Sequence, residues 1–234
     1  MKTILHKNDS RGHFSFGWLD THHTFSFARY YDPERVNFGA LRVLNDDTVL
    51  AGEGFGRHPH DNMEIISIPL SGSLLHRDSM GHEEVIKPGE VQVMSAGTGI
   101  FHEEYNGSKN ENASFLQIWI FPKEKNIKPV YDQKSFEKEA AQNKWQKLVT
   151  YDEAETLHIH QDAAISRTFL EAGKELDYTL MPGSFGSYIF VIEGSVEINN
   201  QQLNIRDGLG IWNTSEFKIK ALENSYILNL EIPE

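Results

Sequence analysis

The stretch Gly56-Arg57-His58-Pro59-His60-Asp61-Asn62-Met63-Glu64 places two histidines two positions apart. A second stretch, Ala96-Gly97-Thr98-Gly99-Ile100-Phe101-His102-Glu103-Glu104, repeats that spacing with a histidine and a glutamate behind a glycine-rich turn. Residues i and i+2 of a β-strand point to the same side of the strand. Each pair can therefore face inward together. Two such strands facing one another in a barrel would bring four metal-binding groups to one point.

The four groups are His58, His60, His102 and Glu104. Three neutral imidazoles and one carboxylate suit a divalent transition ion such as iron, manganese, cobalt, nickel, copper or zinc. Calcium, which prefers an all-oxygen shell, is poorly served by this set. Four protein ligands in an octahedral shell would leave two positions open for a substrate and for oxygen.

The composition bounds the class of protein. A chain of 234 residues has room for one large all-β domain or for two domains. The net charge of −12 argues against a direct nucleic-acid contact, because phosphate binding needs clustered Lys and Arg. No stretch is apolar enough to span a membrane, and the first residues do not resemble a secretory signal. The chain has no cysteine, which excludes thiolate ligands and fits a reducing compartment. We therefore expect a cytoplasmic protein.

Most of the chain is predicted to form short strands separated by turns, which indicates a sandwich or a barrel. The predicted strands of the first half are Ala40–Leu44, Met63–Leu70, Ser73–Arg77, Val91–Met94 and Ser114–Phe121. Those of the second half are Ile165–Glu171, Tyr188–Val191, Ser195–Ile198, Gly210–Trp212 and Ser225–Leu230. Turns are predicted at Asn45-Asp46-Asp47 and, as a hairpin, at Asn199-Asn200.

The two halves share a coarse pattern. Leu70-Ser71-Gly72-Ser73 and Ile192-Glu193-Gly194-Ser195 each join an apolar strand to the next strand. A repeat this widely spaced indicates duplicated domains. The polar segment between the halves, Pro129–Lys147, is predicted to be a connector with a short helix whose N-cap is Ser135.

The spacing of these residues resembles that of a known family. Gly52-x5-His58-x-His60-x3-Glu64-x7-Gly72 is similar to the first cupin motif, with one extra residue before its last glycine. Gly89-x5-Ser95-x-Gly97-x4-His102-x3-Asn106 is similar to the second, with Ser for the usual Pro and two extra residues before the histidine. These departures are typical of the pirin branch, as is the phrase Met94-Ser95-Ala96-Gly97-Thr98-Gly99. The resemblance covers nearly the whole chain and is nearest to the bacterial type with quercetin 2,3-dioxygenase activity.

The resemblance implies an all-β fold of two jelly-roll-type cupin barrels in tandem, joined by a short helical connector. The expected divisions are 1–130 for the metal-binding domain, 131–147 for the connector and 148–234 for a second barrel without a metal site. It also implies that one divalent ion, expected first to be iron(II), is held by His58, His60, His102 and Glu104. Glu64, a ligand in many cupins but not usually in pirins, is expected to orient His58 or His60 through a ring N–H.

The implied activity is that of a dioxygenase that opens a flavonol such as quercetin and releases carbon monoxide. The metal would lower the pKa of a hydroxyl ortho to a carbonyl, and Glu104 or Glu64 would accept its proton. Two alternatives stay open. The chain is then either a redox sensor that acts on a protein partner without turnover, or an oxygenase for another phenolic or enolised metabolite.

Other polar and aromatic residues receive weaker predictions. His158 and His160 are interpreted as an ordinary strand pair, since no H-x-E follows in the second half. His76 and His82 are expected at the surface, and Glu103 is expected to point out of the barrel. The amide of Asn106 is expected to brace the adjoining loop. Four apolar residues are expected either to line a pocket for a planar ligand or to lie in the core: Phe55, Met63, Phe101 and Phe115.

Overall fold

The computed structural model describes residues 1–234 and contains twenty-two strands and two short 3-10 turns. The strands of the first half are β1 Lys2–His6, β2 Gly12–Ser15, β3 Leu19–His23, β4 Leu41–Val49, β5 Gly54–His60, β6 Glu64–Ser71, β7 Leu74–Asp78, β8 Glu83–Ile86, β9 Glu90–Ser95, β10 Ile100–Asn106, β11 Ala113–Ile120 and β12 Val130–Ser135. Those of the second half are β13 Gln146–Thr150, β14 Leu157–His158, β15 Ala164–Leu170, β16 Glu175–Thr179, β17 Gly186–Glu193, β18 Val196–Ile198, β19 Gln201–Leu203, β20 Gly208–Trp212, β21 Glu216–Ala221 and β22 Ser225–Ile232. The 3-10 turns span Asn8–Ser10 and Lys138–Ala141. Neither turn has the length or the apolar composition of a membrane-crossing helix.

The strands form two pairs of sheets. The first pair consists of a seven-stranded sheet, β12-β9-β6-β11-β4-β3-β2, and a four-stranded sheet, β5-β10-β7-β8. The second pair repeats this plan with β1-β20-β17-β22-β15-β13-β14 and β16-β21-β18-β19. Each large sheet curls against its small sheet to enclose one barrel. The predicted all-β fold of two cupin barrels in tandem is confirmed.

The largest apolar core lies between the two large sheets. Alternation along β11 sends Leu116 and Ile118 into this core, while Phe115 and Gln117 point into the first barrel. The second barrel contributes Leu228 and other residues of its own large sheet to the same core. One strand thus serves both the barrel interior and the contact between barrels.

The sheets do not divide at the predicted boundaries. Strand β1 leaves the first half and pairs with β20, from Lys2 opposite Trp212 to His6 opposite Gly208. Strand β12, which lies mostly in the predicted connector, pairs with β9 of the first barrel. Both strands cover sheet edges that would otherwise expose unpaired backbone groups. Dividing the sequence into consecutive segments cannot show that a strand pairs with a sheet formed by a distant segment.

Two local predictions are wrong and one is confirmed. Ser135 ends β12, and the 3-10 turn has Glu137 as its N-cap. Asn45-Asp46-Asp47 lies in the middle of β4, where the pairing with β3 and β11 overrides the turn preference of its residues. The hairpin between β18 and β19 turns at Asn199 and Asn200, both with positive φ, as a two-residue loop of this kind requires.

Candidate metal centre and pocket

Strands β5 and β10 are neighbours in the small sheet of the first barrel. His58 lies directly opposite His102, and His60 lies opposite Ile100. The register shifts between His102 and Glu104, so that Glu104 faces Phe55. The shift is a β-bulge, and it falls between the histidine and the glutamate of the H-x-E pair.

The three histidines converge. One ligand nitrogen from each of His58, His60 and His102 lies within 4.8 Å of the others. The ring centroids of His58 and His102 are 4.4 Å apart, and each is 4.9 Å or less from the ring of His60. The Nδ1 of His58 lies 2.7 Å from the carbonyl oxygen of Gly56, which can only accept. The hydrogen therefore sits on Nδ1, and the lone pair of Nε2 is available to a metal.

Two of these imidazoles, those of His60 and His102, are held in their neutral form. Burial first, and then the neighbouring histidines, lower the pKa of His60 and of His102 to about 3. Both ring nitrogens of His102 are buried without a hydrogen-bond partner. An unpartnered buried nitrogen costs about 1–3 kcal/mol, so this residue fits a metal ligand and not a packing role.

Glu104 is buried beside His102 and is fixed by two donors. Ser67 donates to Oε1 at 3.0 Å, and the Gln117 amide donates to Oε2 at 2.8 Å. Burial raises the pKa of this carboxyl. Its oxygen lies within 4.8 Å of ligand atoms of His102 and His76, but not of all three converging histidines. The four predicted residues therefore fall into two overlapping groups that share His102, namely the three histidines, and His76 with His102 and Glu104.

His76 is a site residue that the sequence analysis missed. It is fully buried, not at the surface as predicted, and its Nδ1 has no partner. Its Nε2 lies 3.3 Å from Asp78, which also contacts the half-exposed His82 at 2.8 Å. Tyr131 stacks on both imidazoles. The signal that could have revealed His76 is its i, i+2 spacing with Asp78 on β7, the same signal that identified the ligands.

Glu64 was expected to orient His58 or His60, but it contacts neither of them. It is buried and accepts a hydrogen bond of 2.6 Å from Ser95. Its other oxygen lies 3.9 Å from Nδ1 of His160, which comes from the second half of the chain. Glu64 points along β6 towards the second barrel, so it links the two barrels and does not orient the ligands.

A cavity of about 410 Å³ opens over His58, His60 and Glu104. Its apolar walls are Trp18, Phe27, Phe55 and Trp119, and the ring of Trp119 lies 4.9 Å from that of His60. Edge-to-face contacts of Trp18 with Phe55 and of Phe27 with Trp119 fix these walls. Such a slot suits a planar aromatic ligand.

Of the four apolar residues expected in a pocket or in the core, Phe55 lines the cavity. Phe115 is fully buried in a core cluster, Met63 packs against another, and Phe101 is exposed on the outer side of β10. The sequence analysis missed two polar residues of the wall, Asn45 and Asp47, because it assigned them to a turn.

Two other predictions can be compared with the structure, and a second histidine cluster lies elsewhere on the surface. The Asn106 amide donates to the carbonyls of Val49 and Glu111, so it does brace the adjoining loop. Glu103 points outward, within 3.4 Å of Arg77. An exposed cluster of His13, Asp20 and His22 lies on the β2–β3 hairpin, where Asp20 contacts both imidazoles.

The fold and the site together define a two-barrel cupin with a histidine-rich centre in its first barrel. The model of the pirin family matches residues 5–120, and that of the quercetinase C-terminal cupin domain matches residues 148–232. The chain belongs to the pirin family, as its motifs predicted.

The similarity to known proteins extends over nearly the whole chain. A quercetin 2,3-dioxygenase of Escherichia coli K12 is 44% identical over 231 residues, 98% of each protein. A putative quercetin 2,3-dioxygenase of Pseudomonas aeruginosa is 42% identical over 226 residues, 96% of this chain and 97% of that protein. The crystal structure of the bacterial pirin YhhW from E. coli in complex with nickel(II) superposes with a TM-score of 0.94, at 42% identity and 99% coverage of both chains.

Proposed function

We propose that this protein is a metal-dependent dioxygenase that cleaves flavonols such as quercetin. The observation that carries the proposal is the grouping of His58, His60 and His102, two of which line a 410 Å³ aromatic-walled cavity together with Glu104. The full-length similarity to proteins named quercetin 2,3-dioxygenase supports it.

The proposed ligands are His58, His60 and His102, joined by Glu104. The unpartnered nitrogens of His102 and the free Nε2 of His58 fit this role. A divalent ion bound there supplies the Lewis acidity that lowers the pKa of a hydroxyl placed next to a carbonyl.

The remaining steps belong to the chain itself. Trp18, Phe27, Phe55 and Trp119 hold a planar ring system and exclude water from it. Glu104, whose side chain lines the cavity beside His58 and His60, accepts the flavonol hydroxyl proton at its carboxylate. Ser67 and Gln117 keep that carboxylate in place.

Several finer assignments are part of the same proposal. Iron(II) is the proposed native ion, and nickel, found in the E. coli relative, is the first alternative. We also propose a cytoplasmic location, dioxygen as co-substrate, no direct contact with nucleic acid, and room for a protein partner at the acidic surface. Elemental analysis of protein purified without added metal tests the identity of the ion.

Oxygen uptake by metal-loaded protein tests the activity. We expect uptake and ring opening with quercetin but not with its 3-O-methyl ether, which lacks the 3-hydroxyl proton that Glu104 is proposed to accept. Glu104→Gln should lower kcat by about 10²–10⁴-fold, whereas the matched change Glu103→Gln on the outer face should not. Equal uptake with the methyl ether, or no uptake with any flavonol, would contradict the proposal.

A further inference from the structure

Strand β4 carries two polar residues on the inner face of the first barrel. Asn45 and Asp47 are 3% and 4% exposed and both line the cavity above the histidines. Their strand belongs to the large sheet, whereas β5 and β10 belong to the small sheet. The two side chains therefore lie on the wall that faces the histidines across the cavity.

The hydrogen-bonding capacity of this pair is not used up within the protein. Oδ1 of Asn45 is buried without a partner. Asp47 accepts a hydrogen bond from Thr21 and forms no ion pair, because Arg11 contacts Asp46 on the other face of the strand. Burial raises the pKa of Asp47 to about 7, which shows how poorly its charge is compensated.

Such groups are costly where they serve packing alone. A buried acceptor without a donor loses its hydration and gains nothing in return, and an apolar side chain would fill the same space at lower cost. Next to Asp47, the same barrel buries Phe115 on β11 and Val49 on β4. The polar pair therefore indicates a ligand that brings its own donors.

We propose that Asn45 and Asp47 form a hydroxyl-binding subsite that selects polyphenols with a donor hydroxyl on the ring farthest from the metal. The ligand class is then a planar polyphenol with hydroxyls at both ends. One end, with its hydroxyl next to a carbonyl, lies at His58, His60 and His102. The other end donates to Asp47 and Asn45. This inference rests on the proposed function and specifies its substrate.

The test uses flavonols that share the hydroxy-ketone but carry two, one or no hydroxyls on the pendant phenyl ring. Their affinities for nickel-loaded protein are measured without oxygen by quenching of tryptophan fluorescence, since Trp18 and Trp119 line the cavity. The measurement is made at a pH of about 8, where Asp47 with its pKa of about 7 is ionised. A hydrogen bond to this charged acceptor predicts that the dihydroxy compound binds about 10- to 100-fold more tightly than the unsubstituted one.

Two variants probe the subsite. Asp47→Asn should reduce the preference by about tenfold, and Asn45→Ala should reduce it independently. In both, the affinity for the unsubstituted flavonol and the nickel content should stay the same. The matched control is Asp46→Asn, the next residue on the opposite face of β4, which should keep the full preference.

The outcomes separate the two proposals. A hydroxyl preference in binding, without oxygen uptake by any metal-loaded form, would remove the dioxygenase function and leave the subsite. Turnover of all three flavonols with equal affinities, or a preference that survives in both variants, would overturn the subsite and leave the function. Absence of binding by every flavonol would overturn both.

Discussion

The small sheets of the two barrels have the same order, so that β5 corresponds to β16 and β10 corresponds to β21. In the first barrel, the inner faces of these strands carry His58, His60 and His102. In the second, Tyr178 of β16 and Phe217 of β21 stack with their centroids 5.4 Å apart. The same framework thus holds metal-binding groups in one barrel and aromatic packing in the other.

The polar groups of the two barrels show what this difference means. The carboxylate of Glu231, buried in the second barrel, accepts hydrogen bonds from the Tyr178 hydroxyl and from the backbone N–H of Met181. Both nitrogens of His102 in the first barrel have no partner at all. A carboxylate enclosed by donors stabilises a barrel, whereas an imidazole buried among other histidines with both nitrogens unpartnered is suited to bind a metal ion.

The largest expected effect is on metal content. His102→Ala should weaken metal binding by more than about a hundredfold, because it removes a proposed ligand and not merely a supporting contact. Oxygen uptake should fall to background with it. Elemental analysis after dialysis and an oxygen electrode provide the two measurements.

Phe217→Ala, at the corresponding strand of the second barrel, is the matched control. The folded fraction of the Phe217→Ala variant should keep its metal content and its oxygen uptake per mole of protein. Loss of metal in the Phe217 variant, or its retention by His102→Ala, would break the contrast between the barrels.

The second prediction concerns stability, and here the larger effect is expected at Phe217 and the smaller one at His102. Phe217→Ala should lower the free energy of unfolding by about 3–5 kcal/mol, since it leaves a cavity in an apolar core. In chelator-treated protein, His102→Ala should change it by less than about 1 kcal/mol, because the loss of packing is offset by the removal of two unpartnered nitrogens. Denaturant titration at constant pH measures both. Equal losses would mean that the first barrel, too, is built for packing.

The third prediction uses the acid on the wall of the pocket. Burial raises the pKa of Asp47 from 3.8 to about 7, so between these values the native chain binds a proton that the unfolded chain has released. Its contribution to stability is full below pH 3.8 and is lost as the pH rises through about 7. Asp47→Asn cannot ionise and escapes this loss, up to ~4 kcal/mol from a shift of about three pKa units.

The chelator-treated variant should therefore gain stability over the wild type as the pH rises from 5 to 8. The other raised carboxyls, Glu104 and Glu64, are present in both proteins, so the difference between the two curves isolates Asp47. Curves that run parallel over this range would show that Asp47 is already ionised in the native state.

The sequence predicted the family, the two barrels and the grouping of three histidines, because each depends on local spacing. His58 and His60 are two residues apart on one strand, and this period fixes their direction whatever the rest of the fold does. Strand exchange could not be predicted in this way. The pairing of β1 with β20 depends on which sheet edge lies nearby in space.

The errors at the site have one physical cause. Asn45, Asp47 and His76 are polar residues on buried strands, and polar residues usually indicate turns or surface. A preference of this kind is outweighed when the neighbouring strands fix the backbone. The useful signal was the alternation of Asn45 and Asp47, which repeats the spacing of the metal-binding pairs.

The smallest predicted effect is a loss of stability, and it tests whether the equivalent turns at Gly72 and Gly194 still have the same role in both barrels. Gly72 and Gly194 have φ values of 68° and 79°, and each packs against the start of the equivalent strand, β11 or β22. A Cβ on Gly72 would lie 2.7 Å from the carbonyl oxygen of Asn112, and one on Gly194 would meet that of Asn224. Gly81, with a φ of 99° and open space around it, separates backbone strain from crowding.

Gly81→Ala should therefore lower the free energy of unfolding by about 1 kcal/mol, and the other two alanine variants by about 2–3 kcal/mol each. Denaturant titration of the three variants measures the differences. Similar losses at Gly72 and Gly194 would show that both barrels depend on one inherited turn. A loss at Gly72 alone would mean that the second barrel, having no ligands to position, tolerates a shifted turn where the first does not.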